Sequence, residues 1–413
     1  MNFKSLMLGA AAATAVTGAH AADLPVAPEP VDYVRICDAY GSGFFYIPGT
    51  ETCLRVGGRV RTEFRFNDFG DEGGNSWDAD TDTSTAFRAR GYVRLDARTN
   101  TEFGLLRTYT ELFFTNTTGA GNPVGSDARV NLDKAFVQFG GLTAGRAGSF
   151  YDFYTGANWG AVLNMGFADN GAVNLFAYTA AFGNGFSASV SVEDGTDRRA
   201  ALRTVGAGAP TTLGGVTLTG GHKYPDLVAN LRVDQGWGSA QIMGALHQVY
   251  FNRSGAGSRT AGNELGWAIG AGVKFNLPMI SNSTELGFQA AYSDGAPNFA
   301  ASSNSATADA IVNAAGTAIS TTTRFAIGGG ISHSWTPTLS SGLTASYIDT
   351  DHGFTVQDST EWNVQGNLVW SPVSGLAIGA ELEYTNQDWS TGGTSGFVDN
   401  DAIVGVLRVQ RTF

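Results

Sequence analysis

From Leu54 to the end of the chain, apolar and polar residues alternate with period two in one short segment after another. The segments are 54–66, 86–98, 103–115, 130–139, 142–147, 173–181, 185–193, 223–233, 239–251, 264–275, 284–293, 323–334, 341–349, 360–370, 376–387 and 400–413. Period two places successive side chains on opposite faces of a β-strand, so each segment predicts a strand whose two faces meet different media. Sixteen such strands with no amphipathic helix between them predict an all-β fold. Several have the roughly 9 to 11 residues that a tilted strand needs to cross a bilayer.

The connections carry a second rhythm. Short links at Thr99–Glu102, Gly140–Gly141, Gly183–Asn184, Asp234–Gly238, Asn276–Ser283, Trp335–Ser340 and Ser371–Gly375 alternate with long polar loops such as 67–85, 148–172, 194–222 and 294–322. An even strand number with short turns on one side and long loops on the other is the pattern of antiparallel outer-membrane barrels. A sheet in lipid must close, because an unpaired edge has no water to satisfy it.

Two of the strands are unusual on their polar face. Arg59, Arg61, Glu63 and Arg65 alternate with Val60, Thr62, Phe64 and Phe66, while Arg88, Arg90, Tyr92, Arg94, Asp96 and Arg98 alternate with apolar or small residues. Same-face neighbours lie about 7 Å apart, so each arginine pair repels by about 0.6 kcal/mol even in water. The reverse register would put the second set into lipid, at about 2–4 kcal/mol per arginine near the midplane and on the order of 10 kcal/mol in all. The arginines are therefore expected to line a wet lumen: Arg55, Arg59, Arg61, Arg65, Arg88, Arg90, Arg94, Arg98 and Arg107, with Glu63, Asp96 and Glu111 on the same parities. The competing reading, two solvated faces of a secreted β-sandwich, does not account for the loop rhythm. Nor does it account for the last strand, where Ile403, Gly405, Leu407, Val409 and Phe413 alternate up to a terminal aromatic, broken only at Arg411. That ending resembles the C-terminal signal read by the barrel insertion machinery.

Composition narrows the class. Glycine contributes 56 of the 413 residues and the formal charge is −12, or −13 without Lys4. An acidic chain short of lysine is no general nucleic-acid binder, since phosphate contacts need surplus Lys and Arg. Residues 1–22 read as a secretory signal, with Lys4, an apolar stretch from Leu6 to Val16 and Ala19-His20-Ala21 as the cleavage site. Beyond it no apolar run reaches the 18 residues of a membrane helix. Cys37 and Cys53 are the only cysteines, and in an exported chain they are expected to form a disulfide closing a short loop, worth about 3 kcal/mol. Two cysteines without a nearby histidine make no zinc site. The Pro-rich stretch Asp23–Pro30 reads as a linker.

Other candidate chemistry is weak. The acidic run Asp68, Asp71, Glu72, Asp78, Asp80, Asp82 begins like a calcium loop, but Thr83 stands where the turn glycine belongs and Ala89 where the closing glutamate belongs; a solvated loop is the better reading, with divalent bridging to lipopolysaccharide as a second one. No nucleophile elbow, dinucleotide fingerprint, phosphate loop or zinc-protease helix occurs, so an enzyme is not expected. His222, His247, His333 and His352 are scattered and read as surface or wall residues. Glu381 and Glu383 share a strand face and read as lumen lining. Trp77, Trp159, Trp267, Trp370 and Trp389 suit interfacial girdles.

The run Val34-Arg35-Ile36-Cys37 through Phe44-Phe45-Tyr46-Ile47-Pro48-Gly49-Thr50-Glu51-Thr52-Cys53 to Gly58 resembles the N-terminal signature of alphaproteobacterial porins, the rhizobial and Brucella type. The resemblance implies a homotrimer of 16-stranded antiparallel barrels in the outer membrane of a Gram-negative bacterium, each with a water-filled channel for ions and small hydrophilic solutes and no cofactor. Its partners would be outer-membrane lipid, lipopolysaccharide and the insertion machinery, with Phe413 as the insertion signal. It further implies an inward-folded third external loop, here Gly148–Ala172 with Asp152 and Asp169, set against the basic wall. The expected organisation is a signal peptide at 1–22, a periplasmic segment with the disulfide at 23–53 and the barrel at 54–413. A barrel with a structural or adhesive role through its surface loops is the alternative.

Overall fold

The computed structural model describes residues 35–66, 85–119, 129–159, 167, 171–206, 210–213, 216–252, 260–302, 307–393 and 395–413. Among these, sixteen strands form the barrel: β1 (Cys53–Phe66), β2 (Thr85–Thr101), β3 (Gly104–Gly119), β4 (Arg129–Phe139), β5 (Leu142–Gly148), β6 (Ala172–Gly183), β7 (Phe186–Glu193) and β8 (Asp226–Gln235). The second half comprises β9 (Gly238–Val249), β10 (Glu264–Asn276), β11 (Glu285–Asp294), β12 (Thr323–Thr336), β13 (Leu339–Asp351), β14 (Ser359–Trp370), β15 (Leu376–Trp389) and β16 (Asn400–Thr412). Every strand pairs antiparallel with its neighbours in sequence, and β16 pairs with β1 from Arg59↔Thr412 to Phe66↔Gly405, which closes the sheet. No helix among the described residues is long and apolar enough to cross a membrane.

The alternation read from the sequence sorts the two faces. On β1 and β2, Val56, Val60, Phe87, Val93 and Leu95 are exposed, while Glu63, Tyr92 and Asp96 are buried. An apolar outer surface around a polar interior inverts the rule for soluble proteins and suits a lipid surround. The strand expected at 223–233 begins at Asp226, one residue past Pro225, because proline has no N–H to give the ladder.

Two small structures cap opposite ends. At the short-turn end, the Cys37–Cys53 disulfide spans 16 residues and seats Phe44 and Tyr40 beside it. At the long-loop end, Arg203–Thr204, Ala310–Val312 and Ile319–Thr321 form a three-stranded sheet over a core of Leu202, Leu218, Phe251, Ala310 and Val312. The external loops thus bury their own apolar side chains instead of standing free in water. The signal segment 1–22, the linker, the acidic run Asp68–Asp82, Trp77 and Asp169 lie outside the described residues.

Candidate functional site

The register of β1, β2 and β3 stacks the polar face in rows. Arg61 pairs with Arg90, Arg59 with Tyr92, and Glu63 with Arg88 across β1 and β2, while Arg94 meets Glu111 and Asp96 meets Tyr109 across β2 and β3. Each of the nine arginines expected on the wall occupies this face, against three carboxylates. Those carboxylates are heavily engaged. The Glu63 side chain is fully buried among four guanidiniums: Arg408 at 2.6 Å, Arg65 at 3.0 Å, Arg61 at 3.3 Å and Arg88 at 3.6 Å. Asp96 accepts from Arg98 at 2.8 and 3.1 Å and from Arg107 at 2.9 and 3.0 Å. Arg94 donates to Glu111 at 2.9 Å. Arg55 stands at the short-turn end, where a cavity of about 300 Å³ is lined by Arg55, Arg94, Arg98 and Arg107.

Tyr92 is the centre of this strip. The guanidinium carbon of Arg59 lies 4.0 Å from its ring centroid, Arg61 5.6 Å, Arg94 5.8 Å and Arg90 6.0 Å. Cation–π attraction to one shared ring holds four like charges in a small space, where carboxylates alone would not reach them all. Arg90 also donates to the Tyr92 hydroxyl at 3.2 Å and to Thr115 Oγ1 at 2.7 Å.

The segment after β5 bonds to the same polar face, strand by strand. Ser149 Oγ donates to Glu193 on β7 at 2.7 Å, and Asn230 on β8 donates to the Phe150 carbonyl at 2.6 Å. Gln241 on β9 donates to the Tyr151 carbonyl at 3.3 Å, and the Tyr154 N–H to Gln289 on β11 at 3.0 Å. The Ala157 N–H donates to Thr344 on β13 at 2.7 Å, Asn367 on β14 donates to the Ala157 carbonyl at 2.8 Å, and the Trp159 N–H reaches Glu381 on β15 at 2.5 Å. Arg408 on β16 closes the series on the Trp159 carbonyl. Among the described residues these hydrogen bonds therefore run round the wall from β7 to β16, and none of them reaches β1 to β4.

Glycine makes room for this path. A Cβ at Gly272, Gly287 or Gly328 would collide with the ring of Phe153, Tyr154 or Phe167 respectively. The three glycines belong to β10, β11 and β12, so part of the chain's glycine excess seats aromatic rings on the inner wall. Burial pushes the Tyr154 phenol up to about 12 and raises Tyr151 as well, so both rings stay neutral.

Three placements differ from expectation or add to it. Asp152, expected to face the basic wall, is held by Arg198, whose side chain is buried against Phe299. Trp159 stacks near Arg408 at 4.9 Å instead of joining an interfacial girdle, while Trp267 and Trp370 are exposed on the outer face. His247, on the buried face of β9, sits 2.8 Å from Asp226 and 3.4 Å from Asp309, which the external loop brings in. Arg408 was legible, since it alternates with Leu407 and Val409; Arg198 sits in an aperiodic loop and carried no signal. Among the described residues no group of three or more His, Cys, Asp and Glu could hold a metal ion.

Comparison with known proteins agrees with this architecture. Residues 23–406 match the family described as the porin subfamily. Porin Omp2b of Brucella suis biovar 1 is 32% identical over 431 residues, covering 100% of both chains. The outer membrane channel DcaP of Acinetobacter baumannii superposes with a TM-score of 0.68 at 17% identity, over 89% of this chain and 99% of its own. OmpT of Vibrio cholerae, solved in a trimer form, gives 0.53 at 10% identity over 88% and 100%. At those identities the two structures speak for the fold alone.

Proposed function

We propose a mechanism for a chain that belongs to the porin subfamily, and so forms an outer-membrane channel of a Gram-negative bacterium through which small solutes diffuse passively: the arginine strip on β1 to β3 and the segment Gly148–Ala172 together form its constriction. No bond-making residue is required. Low-dielectric walls carrying one sign of charge focus the field across the water they enclose and raise the local concentration of counter-ions. The single observation that supports the reading is the path of the Ser149–Trp159 hydrogen bonds, which among the described residues follow the polar face from β7 to β16 and do not reach the arginines of β1 to β3. The segment sets the size limit, and Arg55, Arg59, Arg61, Arg65, Arg88, Arg90, Arg94, Arg98 and Arg107 set the field.

The trimer fits the same picture, because the trimer form of OmpT shares the barrel. Lipid and lipopolysaccharide would surround the apolar face, and Phe413 would address the chain to the insertion machinery. The signal at 1–22, with residues 23–53 in the periplasm, completes the proposed organisation, and catalysis has no part in it. Reconstitution in planar bilayers tests the channel: stepwise conductance is expected. A structural or adhesive barrel would insert without it. A series of neutral sugars of rising size then measures the limit that the segment imposes.

A further inference from the structure

Resting on the channel reading, we infer that the β1–β2 strip holds a discrete subsite for small dianionic oxyanions, centred on Tyr92 and formed by Arg59, Arg90, Arg61 and Arg94. Four guanidiniums lie within 6.0 Å of one ring centroid. Two of them share their charge with carboxylates, Arg61 with Glu63 and Arg94 with Glu111. Arg59 and Arg90 have no carboxylate within ion-pair distance among the described residues; their partners are the Tyr92 ring and, for Arg90, two hydroxyls. Because Glu63 is itself shared among four guanidiniums, the local excess is at least two positive charges, enough to favour a dianion over a monoanion.

Geometry supports a site and not merely a diffuse field. The buried Nε–H groups of Arg59 and Arg94 meet no acceptor among the described residues. A guanidinium offers its donors as a planar fork that suits carboxylate, phosphate or sulfate oxygens, and such charge-assisted bonds are about twice as strong as neutral ones. Tyr92 stacks the forks around itself, so they are ordered before a ligand arrives and lose little freedom on binding. The carboxylate expected on the facing segment, Asp152, is occupied by Arg198, which removes one competing anion from the aperture. The cavity beyond it, toward the short-turn end, is lined by Arg55, Arg94, Arg98 and Arg107 with Asp96 paired to the last two, so four cations there face one carboxylate.

The test uses the full channel in planar bilayers, with chloride as carrier and sulfate as probe. Methanesulfonate serves as a monoanion of similar size. Sulfate is expected to block the chloride current with saturation, and methanesulfonate is expected to block far less. Arg59→Gln and Arg90→Gln should each raise the half-blocking sulfate concentration about tenfold, the effect of losing one charge-assisted contact. Arg232→Gln, which removes a lumen-side charge paired with Asp234 away from the strip, should leave the block as it is. Either arginine variant suffices if the other does not fold, and the sulfate-to-methanesulfonate ratio of the unaltered channel needs no variant. Equal block by the two anions, or equal relief by Arg232→Gln, overturns the subsite while leaving the channel standing; absence of any conductance overturns the channel reading itself.

Discussion

Replacing Glu63 by glutamine removes one charge and almost no volume, at the position where β1 meets both β2 and β16. Its side chain is fully buried, and its four arginine neighbours lie 2.6 to 3.6 Å away with side chains 3 to 21% exposed. At an effective dielectric near 20, each such contact is worth about 4 kcal/mol before desolvation. Much of that sum is offset by taking the charges out of water, and removing one partner of a buried ion group costs about 3–5 kcal/mol. Glu63→Gln is therefore expected to lose about 3–5 kcal/mol, read as a lower urea midpoint by tryptophan fluorescence in detergent. Asp234→Asn is the internal comparison. Its partner Arg232 is as close, at 2.7 Å, but the pair is 35 and 53% exposed, and water holds its loss to less than about 1 kcal/mol. In a salt gradient Glu63→Gln should also shift the reversal potential in the anion-selective direction, since the strip gains one net positive charge. A variant with both the wild-type urea midpoint and the wild-type reversal potential would refute the assignment of Glu63 as the counter-charge of the wall.

Two further outcomes follow from other parts of the wall. Gly287→Leu places a side chain where the Tyr154 ring packs, so the segment is driven off β11 into the lumen; single-channel conductance should fall, and an unchanged value would mean that the segment does not border the aperture. His352 lies in the loop after β13, donating from Nδ1 to the Gln357 carbonyl at 2.8 Å, and burial, aided by Arg324, pulls its pKa from 6.5 down to about 4. Because the folded value is the lower one, the unfolded chain takes up the proton first as the medium is acidified. The stabilisation from neutral His352 is complete above about pH 6.5 and is lost as pH falls toward 4, a loss of at most ~3 kcal/mol. The stability difference between wild type and His352→Gln, measured by urea titration, should shrink from pH 7 to pH 5; a difference independent of pH would rule the histidine out.

The barrel was legible because its physics is local. Period-two alternation fixes which side chains share a face, and a one-residue slip would exchange lipid and lumen along a whole strand. Hence the parity of Arg59 to Arg65 and Arg88 to Arg98 could be read without coordinates, and so could the order of the strands. The resemblance pointed to Gly148–Ala172 as an inward-folded loop, but the individual partners of its residues were not legible. Asp152 was expected opposite the basic wall, and only the fold brings Arg198 to it from a loop 46 residues away. Trp159 looked like one more interfacial aromatic until Glu381, 222 residues on, was seen to accept its N–H. The glycines under Phe153, Tyr154 and Phe167 had no distinguishing feature within a chain rich in glycine. Contacts between an aperiodic segment and a distant wall depend on closure of the whole ring, which no window of sequence contains.

That closure has a temporal side. The last main-chain pair of the ring joins Gly58 and Phe413, with N–H to carbonyl distances of 2.9 and 3.0 Å in the two directions, and a Cβ at Gly58 would run into the Phe413 ring. The Glu63–Arg408 bond, one row within the same junction, spans 345 residues of chain. Contacts of such separation form late, after the rest of the sheet has given up its loop entropy. Until β16 arrives, β1 and β15 are raw edges open to any other strand. Without β16 the sheet would keep two unpaired margins, on β1 and β15, so a single strand satisfies both edges at once.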